Sequence, residues 1–459
     1  MPPTPLICGS LGMAGEWETV PLDSLVEPGR GISYGIVQPG TPVAGGVPIV
    51  RVSDVRDGRV AVSAPLRVAP AIEAGYARTR LTGGELLLTL VGTVGEAAVV
   101  PASLAGWNTA RAVAVIPVRK DVGAYWVKLA LAAPGVREII DSRLNTTVQA
   151  TLNLADVARL PIVLPPVHER ETIAHILGTL DDKIELNRRM SEALEAMARA
   201  LFKSWFVDFD PVRAKADGID PQLPKSIASL FPVRFVDSEL GEIPEGWSAS
   251  PLGGICRRVA MGPFGSDIKT DNFVESGVPI VRGVNLKDGF VDDCFVFLTE
   301  EKANELRNAN AFPGDIVITH RGTLGQVGLV PFNSRFPRYV VSQSQMLLTI
   351  DEGCSLPRYV YMYLRSSGGQ QALLANMSQT GVPAIARPTT SVKAIRLVSP
   401  SKPVLEAFGN LVEPLCRRQD QAISDTRTLA ALRDALLPKL VSGELRIRDA
   451  EGLLERTPC

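Results

Sequence analysis

Apolar residues fall along this chain in two rhythms. The first is a series of short runs rich in Val, Ile and Leu, closed by Gly or Pro. They are Pro48–Val52, Leu86–Leu90, Ala97–Val100, Ala112–Val118 and Pro161–Leu164, then Pro279–Val284, Ile316–Thr319, Val327–Val330, Met346–Ile350 and Ile395–Val398. Runs of this length and punctuation predict strands. Helical stretches lie between them at Tyr125–Ala132 and Thr299–Leu306. In the latter, Thr299 is placed to cap, with Glu300 and Glu301 in the first turn, where the helix dipole favours acids.

The second rhythm follows Pro165-Pro166 and Pro403. Ile173, Ile176, Leu180, Lys183, Asn187, Met190, Leu194, Met197 and Leu201 recur at alternating steps of three and four. So do Phe408, Leu411, Leu415, Arg418, Ala422, Asp425, Leu429, Leu432 and Leu436. That spacing predicts two long helices with coiled-coil seams, each broken by a polar residue at the same place, Lys183 and Arg418. Stripes so narrow fold poorly alone, and antiparallel pairing would let each cover the other. A helical core inside one domain is the alternative.

The two rhythms occur twice in the same order. Gly-Val-Pro-Ile-Val-Arg stands at Gly46–Arg51 and again at Gly277–Arg282, an offset of 231 in 459 residues. Trp17 answers Trp247, Gly84–Thr89 answers Gly314–Thr319, and Gly92-Thr93-Val94-Gly95 answers Gly322-Thr323-Leu324-Gly325. One unit is written twice, and such self-similarity governs the whole architecture. The predicted fold is a duplicated α/β (α+β) chain. Two globular mixed domains are separated by two long antiparallel helices, related by a pseudo-two-fold axis. The expected segments are 1–165 and 247–402 for the globular domains, 166–206 and 403–446 for the helices, 207–246 for a connector and 447–459 for a tail. The Phe202–Trp247 stretch carries Trp205, Phe206, Phe209, Phe231 and Phe235, too aromatic for a disordered linker.

Composition narrows the function. Hydrophobic residues make up 46% and charged residues 21%, ordinary for a soluble globular protein. No apolar run reaches the ~20 residues of a membrane span, and Met1–Gly15 has no secretory pattern. The six cysteines form no C-x-x-C pair, which fits a reducing cytoplasm. A net charge of −1 argues against a protein that coats nucleic acid, but leaves room for a local basic face. There is no P-loop and no dinucleotide fingerprint. His168, His175 and His320 are dispersed, which speaks against a catalytic triad or a histidine metal site. The chain reads as non-catalytic, with no cofactor or metal of its own.

What the globular halves do offer is Gly-bearing loops with hydroxyl, amide and guanidinium tips. In the first half the candidates are Arg30, Ser33, Tyr34, Arg51, Ser53, Thr93, Asn108, Arg111, Thr147 and Gln149. In the second they are Gly262, Gly265, Ser266, Lys269, Arg282, Asn285, His320, Arg321, Thr323, Gln343, Gln345 and Thr380. Arg pairs with guanine and Asn or Gln with adenine through two hydrogen bonds, while Gly-rich turns and hydroxyls suit phosphates. Each could equally serve turn geometry or a surface ion pair. Arg51 and Arg282 lie in the repeated hexamer and could be structural in both halves. The scaffold repeats and the loops do not, so two copies would read two different short sequences.

The pattern resembles the specificity subunits of type I restriction–modification systems along nearly the whole chain. The resemblance rests on Gly262-Pro-Phe-Gly-Ser266, Gly277-Val-Pro-Ile-Val-Arg-Gly283, Gly314-Asp-Ile-Val-Ile-Thr-His-Arg-Gly-Thr-Leu-Gly325 and Leu180-Asp-Asp-Lys-Ile-Glu-Leu-Asn187. It also rests on Leu201-Phe-Lys-Ser-Trp-Phe-Val-Asp-Phe-Asp-Pro211, Gly241-Glu-Ile-Pro-Glu-Gly-Trp247 and Leu436-Leu-Pro-Lys-Leu-Val-Ser-Gly-Glu444. It implies two target-recognition domains reading the halves of a bipartite, gapped site in double-stranded DNA. The helices would dock two methyltransferase subunits, which bind S-adenosylmethionine and methylate adenine, and through them a motor subunit that uses ATP. The helices would also set the gap. A span of Val167–Trp205 at ~1.5 Å per residue is roughly 58 Å, so half-site centres lie at most about 17 bp apart. About 10 bp is favoured, with both domains on one side of the duplex. The first domain departs from the pattern, carrying Gly29-Arg-Gly-Ile-Ser-Tyr-Gly35 in place of Gly-Pro-Phe-Gly-Ser. The competing reading is a coiled-coil adaptor that binds proteins without DNA specificity.

Overall fold

The structure is a computed structural model that describes residues 17–144, 150–287, 289–353, 355–378 and 381–445. The chain divides into two compact units, Met1–Leu186 with Asp425–Cys459, and Asn187–Ser424. Among the described residues no helix is long and apolar enough to cross a membrane.

In the first unit a four-stranded antiparallel sheet runs in the order Ser33–Tyr34, Val113–Ile116, Leu86–Thr89, Ala97–Val99. A three-stranded sheet runs Leu66–Val68, Val47–Val50, Asn108–Thr109, its last pair parallel. The central strands are buried on both faces, which is why they read as unbroken Leu and Val runs rather than alternating ones. Helix Ala124–Ala132 covers them, with Val127, Ala130 and Leu131 in the core.

The second unit repeats this plan. Its four-stranded sheet runs Cys256–Met261, Gln345–Ile350, Ile316–Thr319, Val327–Leu329. Its other sheet has five strands, with the parallel pair Val278–Val281 and Tyr339–Val341 at the equivalent place. The ladders fix the equivalence residue by residue. Thr89 faces Val113 as Thr319 faces Gln345, and Tyr34 faces Ala114 as Met261 faces Met346. All ten predicted strands are present within a few residues. Helix Glu300–Glu305 starts at Thr299, whose hydroxyl accepts from the Lys302 N–H at 3.2 Å, as its sequence requires.

The long helices are Val167–Phe206 and Lys402–Ser442. In the first unit Ile173, Leu177 and Leu180 pack on Leu436, Leu440 and Val441. In the second unit Ala198, Phe202 and Trp205 pack on Val404, Phe408 and Val412. The start of each helix therefore runs beside the end of the other, and the pair is antiparallel.

Of the expected seam residues, Ile176, Leu180, Leu201, Leu415, Leu429, Leu432 and Leu436 lie in the clusters between the helices, and Met197 and Leu411 do not. At four places the residue four positions on is buried as well or instead. Leu177 follows Ile173, Ala198 follows Leu194, Val412 follows Phe408, and Leu440 follows Leu436, each of the four followers buried. Ile176 also stays buried, whereas Met197 is 54% exposed and Leu411 38% exposed. Apolar residues stand at both spacings, so the pattern alone could not choose. The smaller Ala198 and Val412 take the inward places beside Phe202 and Phe408.

Polar contacts lock the helices inside each unit. Asp181 accepts from the Tyr125 hydroxyl at 2.8 Å, Lys128 Nζ at 2.8 Å and Arg433 Nη1 at 3.0 Å. In the second unit Arg358 donates to Glu413 at 2.9 Å. After the first long helix the chain turns at Phe209, whose φ is +57°. The connector is ordered by an aromatic cluster, with the Trp205 ring edge-on to Phe231 at 5.0 Å and Phe206 to Phe408 at 4.9 Å.

Candidate nucleic-acid interface

In the second unit the Ser342–Ser344 turn joins strands Tyr339–Val341 and Gln345–Ile350, and the Gly262–Asp267 loop crosses in front of it. The crossing is close. A Cβ on Gly262 would lie 1.9 Å from the Ser342 carbonyl oxygen, and one on Gly265 would lie 2.2 Å from Gln343 Oε1. A side chain at Gly262 would push the loop off the Ser342 backbone, whereas at Gly265 only the movable, exposed Gln343 side chain would have to give way. Pro263 is buried and Phe264 is 83% exposed at the tip. Loop and turn border a cleft of about 600 Å³.

The floor of the cleft is a chain of hydrogen bonds. The Ser342 hydroxyl donates to Gln345 Oε1, and Gln345 Nε2 donates to Thr319 Oγ1 at 3.2 Å. Thr319 Oγ1 donates to Gln326 Oε1 at 3.0 Å, and Gln326 Nε2 donates to the Gly283 carbonyl at 3.1 Å. Gln345 is almost wholly buried, so its amide shapes the floor. His320 is buried, and its Nε2 lies 3.2 Å from the Gln343 carbonyl oxygen. Burial, with help from the Arg321 charge, lowers the pKa of His320.

Two guanidinium groups line the cleft, Arg282 and Arg321, and none of its described lining residues is a carboxylate. Gln343, Arg321 and Thr323 are exposed at its edge. Asn285, by contrast, is committed to the fold. Its Oδ1 accepts from the Arg282 backbone N–H at 2.9 Å, and its Nδ2 donates to the Asp293 carbonyl at 2.7 Å. Lys269 is exposed, its backbone N–H bound to Asn272 Oδ1 at 2.9 Å. Ser266 sits in the Gly265–Asp267 turn, and Thr380 lies outside the described residues.

The first unit brings fewer candidates together. Arg30 Nη1 donates to Glu85 Oε1 at 2.9 Å, and Arg51 grips Asp54 through Nε and Nη2, each at 3.3 Å. Burial opposes ionisation of Glu85, but hydrogen bonds from Thr82 and Arg30 outweigh it and hold the carboxyl below its usual range. Asn108 is fully buried, donating to Glu73 Oε1 at 3.0 Å and accepting from the Thr79 hydroxyl at 2.7 Å. Ser33 and Tyr34 form the edge strand, with Tyr34 39% exposed. Ser53, Thr93 and Arg111 are exposed. Thr147 and Gln149 lie outside the described residues.

The ladder register corrects one expectation. The segment Gly29–Gly35 does not stand in place of Gly262–Ser266, because Gly35 itself is the equivalent of Gly262. A Cβ on Gly35 would lie 2.2 Å from the Thr109 carbonyl oxygen. The equivalent loop is therefore Gly35-Ile36-Val37-Gln38, with Ile36 buried like Pro263 and Val37 exposed like Phe264. The sequence reading passed over Val37, Gln38 and Gln326. The signal for the first two was a lone glycine followed by apolar residues, at an offset of 227 instead of 231.

Residues 15–196 match the family described as the type I restriction modification DNA specificity domain. The type I restriction enzyme HindI specificity subunit of Haemophilus influenzae is 26% identical over 353 residues, 67% of this chain and 73% of that protein. The MjaIX specificity subunit of Methanocaldococcus jannaschii is 26% identical over 63% of this chain and 61% of its own length. The crystal structure of the type I S subunit of M. genitalium aligns with 94% of this chain and 97% of its own, with a TM-score of 0.57 at 15% identity. At that identity the likeness is one of fold.

Proposed function

We propose that this chain, a homologue of the type I restriction–modification specificity subunits, reads DNA sequence for a DNA-modifying complex. The observation that carries the reading is a scaffold kept in register in both units while its loop tips differ. Gly35 and Gly262 launch equivalent loops, yet one presents Val37-Gln38 and the other Phe264-Gly265. Two such domains read two different half-sites of a bipartite, gapped target. A cleft whose described lining holds two guanidinium groups and no carboxylate supports a polyanionic partner.

The long helices serve as the docking surface for methyltransferase subunits and as the ruler between half-sites. A helix of 40 residues at ~1.5 Å per residue is about 60 Å long, which supports that role. S-adenosylmethionine belongs to the methyltransferase partners and ATP to the motor subunit, while this chain contributes binding alone.

The test is duplex binding by the chain purified with its methyltransferase partner, across 50 to 200 mM salt. Release of counterions from several phosphates predicts roughly 10³-fold or greater weakening of non-specific binding. Binding to protein partners with no DNA affinity at any salt would overturn the reading in favour of an adaptor.

A further inference from the structure

Arg51 and Arg282 close the two copies of the repeated hexamer and enter the same short turn. Each backbone N–H is capped by the residue three places on, Asp54 at 2.8 Å in the first unit and Asn285 at 2.9 Å in the second. The caps are geometrically alike and electrically different. The Asp54 carboxylate takes Nε and Nη2 of Arg51 and neutralises it. Asn285 has no charge to offer, and its Nδ2 is turned away to the Asp293 carbonyl. Among the described residues the Arg282 guanidinium donates only to the neutral Cys294 carbonyl, at 3.1 Å, and its buried Nε has no partner.

We infer that Arg282 reads a guanine in the second half-site, while its equivalent Arg51 is held out of the first half-site by Asp54. The inference rests on the DNA-reading function proposed above. Arg282 faces a cleft that it shares with Arg321 and with no described carboxylate, so the cleft carries uncompensated positive charge. Most N–H groups of the guanidinium have no acceptor among the described residues, and a ligand that supplies acceptors can engage them. Guanine presents two, O6 and N7, spaced for the guanidinium fork. The floor beneath consists of amides and hydroxyls already bonded to one another, which is the setting of a base edge. A phosphate would sit at the rim, where Arg321 and Thr323 are exposed.

The test uses the chain in complex with its methyltransferase, once methyl-adenine sequencing has given the wild-type motif. Arg282→Ala is expected to relax one guanine position of the second half-site by roughly 10- to 100-fold in discrimination, leaving the first half-site unchanged. Arg282→Lys keeps the charge but not the fork. It should hold non-specific affinity and its salt slope while still losing that guanine. Asp54→Asn preserves the backbone cap and releases Arg51, so the first half-site should change at a single position. A uniform loss across sequences in Arg282→Ala, with the salt slope lower by about one and the motif intact, would make Arg282 a phosphate contact and overturn the inference. An unchanged motif and affinity with a lowered melting temperature would assign it to the fold and overturn it equally. If no gapped motif depended on the wild-type chain, the proposed function itself would have failed, which is a separate outcome.

Discussion

Gly35 and Gly262 hold the same place beside the two four-stranded sheets. A Cβ on the first would stand 2.2 Å from the Thr109 carbonyl oxygen and on the second 1.9 Å from the Ser342 carbonyl oxygen. Neither glycine has a positive φ, so the constraint is the close approach of two backbones rather than a left-handed turn. Gly262→Ala should therefore displace the Phe264 loop at a cost of about 1–3 kcal/mol. Thermal melting checks the cost. Methylation should lose discrimination in the second half-site only, and Gly35→Ala should do the same to the first.

Phe264 makes the opposite prediction. At 83% exposure it contributes little to the fold, so Phe264→Ser should change stability by less than about 0.5 kcal/mol. It stands at the mouth of the cleft, where an aromatic ring can stack on a base for about 1–3 kcal/mol. Isothermal titration with target DNA should show weakening in that range. Unchanged affinity would remove Phe264 from the interface.

How far the sequence revealed this site follows from where its information lies. The repeated strands were legible because Leu86–Thr89 and Ile316–Thr319 are buried on both faces and admit only apolar residues. The two-residue strands Ser33–Tyr34 and Asn108–Thr109 were not, since their pairing is imposed by neighbours. Gly262 was visible within a motif, whereas Gly35 was hidden. The intervening loops differ by four residues, and only the facing pairs Tyr34–Ala114 and Met261–Met346 realign them. Met197 was expected in the seam where Ala198 is buried, because both are apolar and the choice depends on the partner helix. The charges of Arg51 and Arg282 looked alike in the hexamer. The Asp54 and Asn285 that separate them lie just outside it.

His320 gives a pH prediction. Burial, aided by Arg321, lowers its pKa below the ordinary ~6.5 of an unfolded chain. The unfolded state therefore takes up the proton more readily than the fold. The stability from a neutral His320 is complete above about pH 6.5 and is lost as the pH falls from there toward its folded-state pKa. Between pH 7 and pH 5 the wild type should lose melting temperature faster than His320→Gln. Parallel curves would show that His320 titrates normally.

The most direct test of the central claim is modified-base sequencing of host DNA with and without this chain, its methyltransferase partner expressed throughout. A sequence-reading subunit predicts that methyl-adenine disappears from one bipartite, gapped motif when the chain is removed. An unchanged methylome, with the partner folded and active, would contradict it.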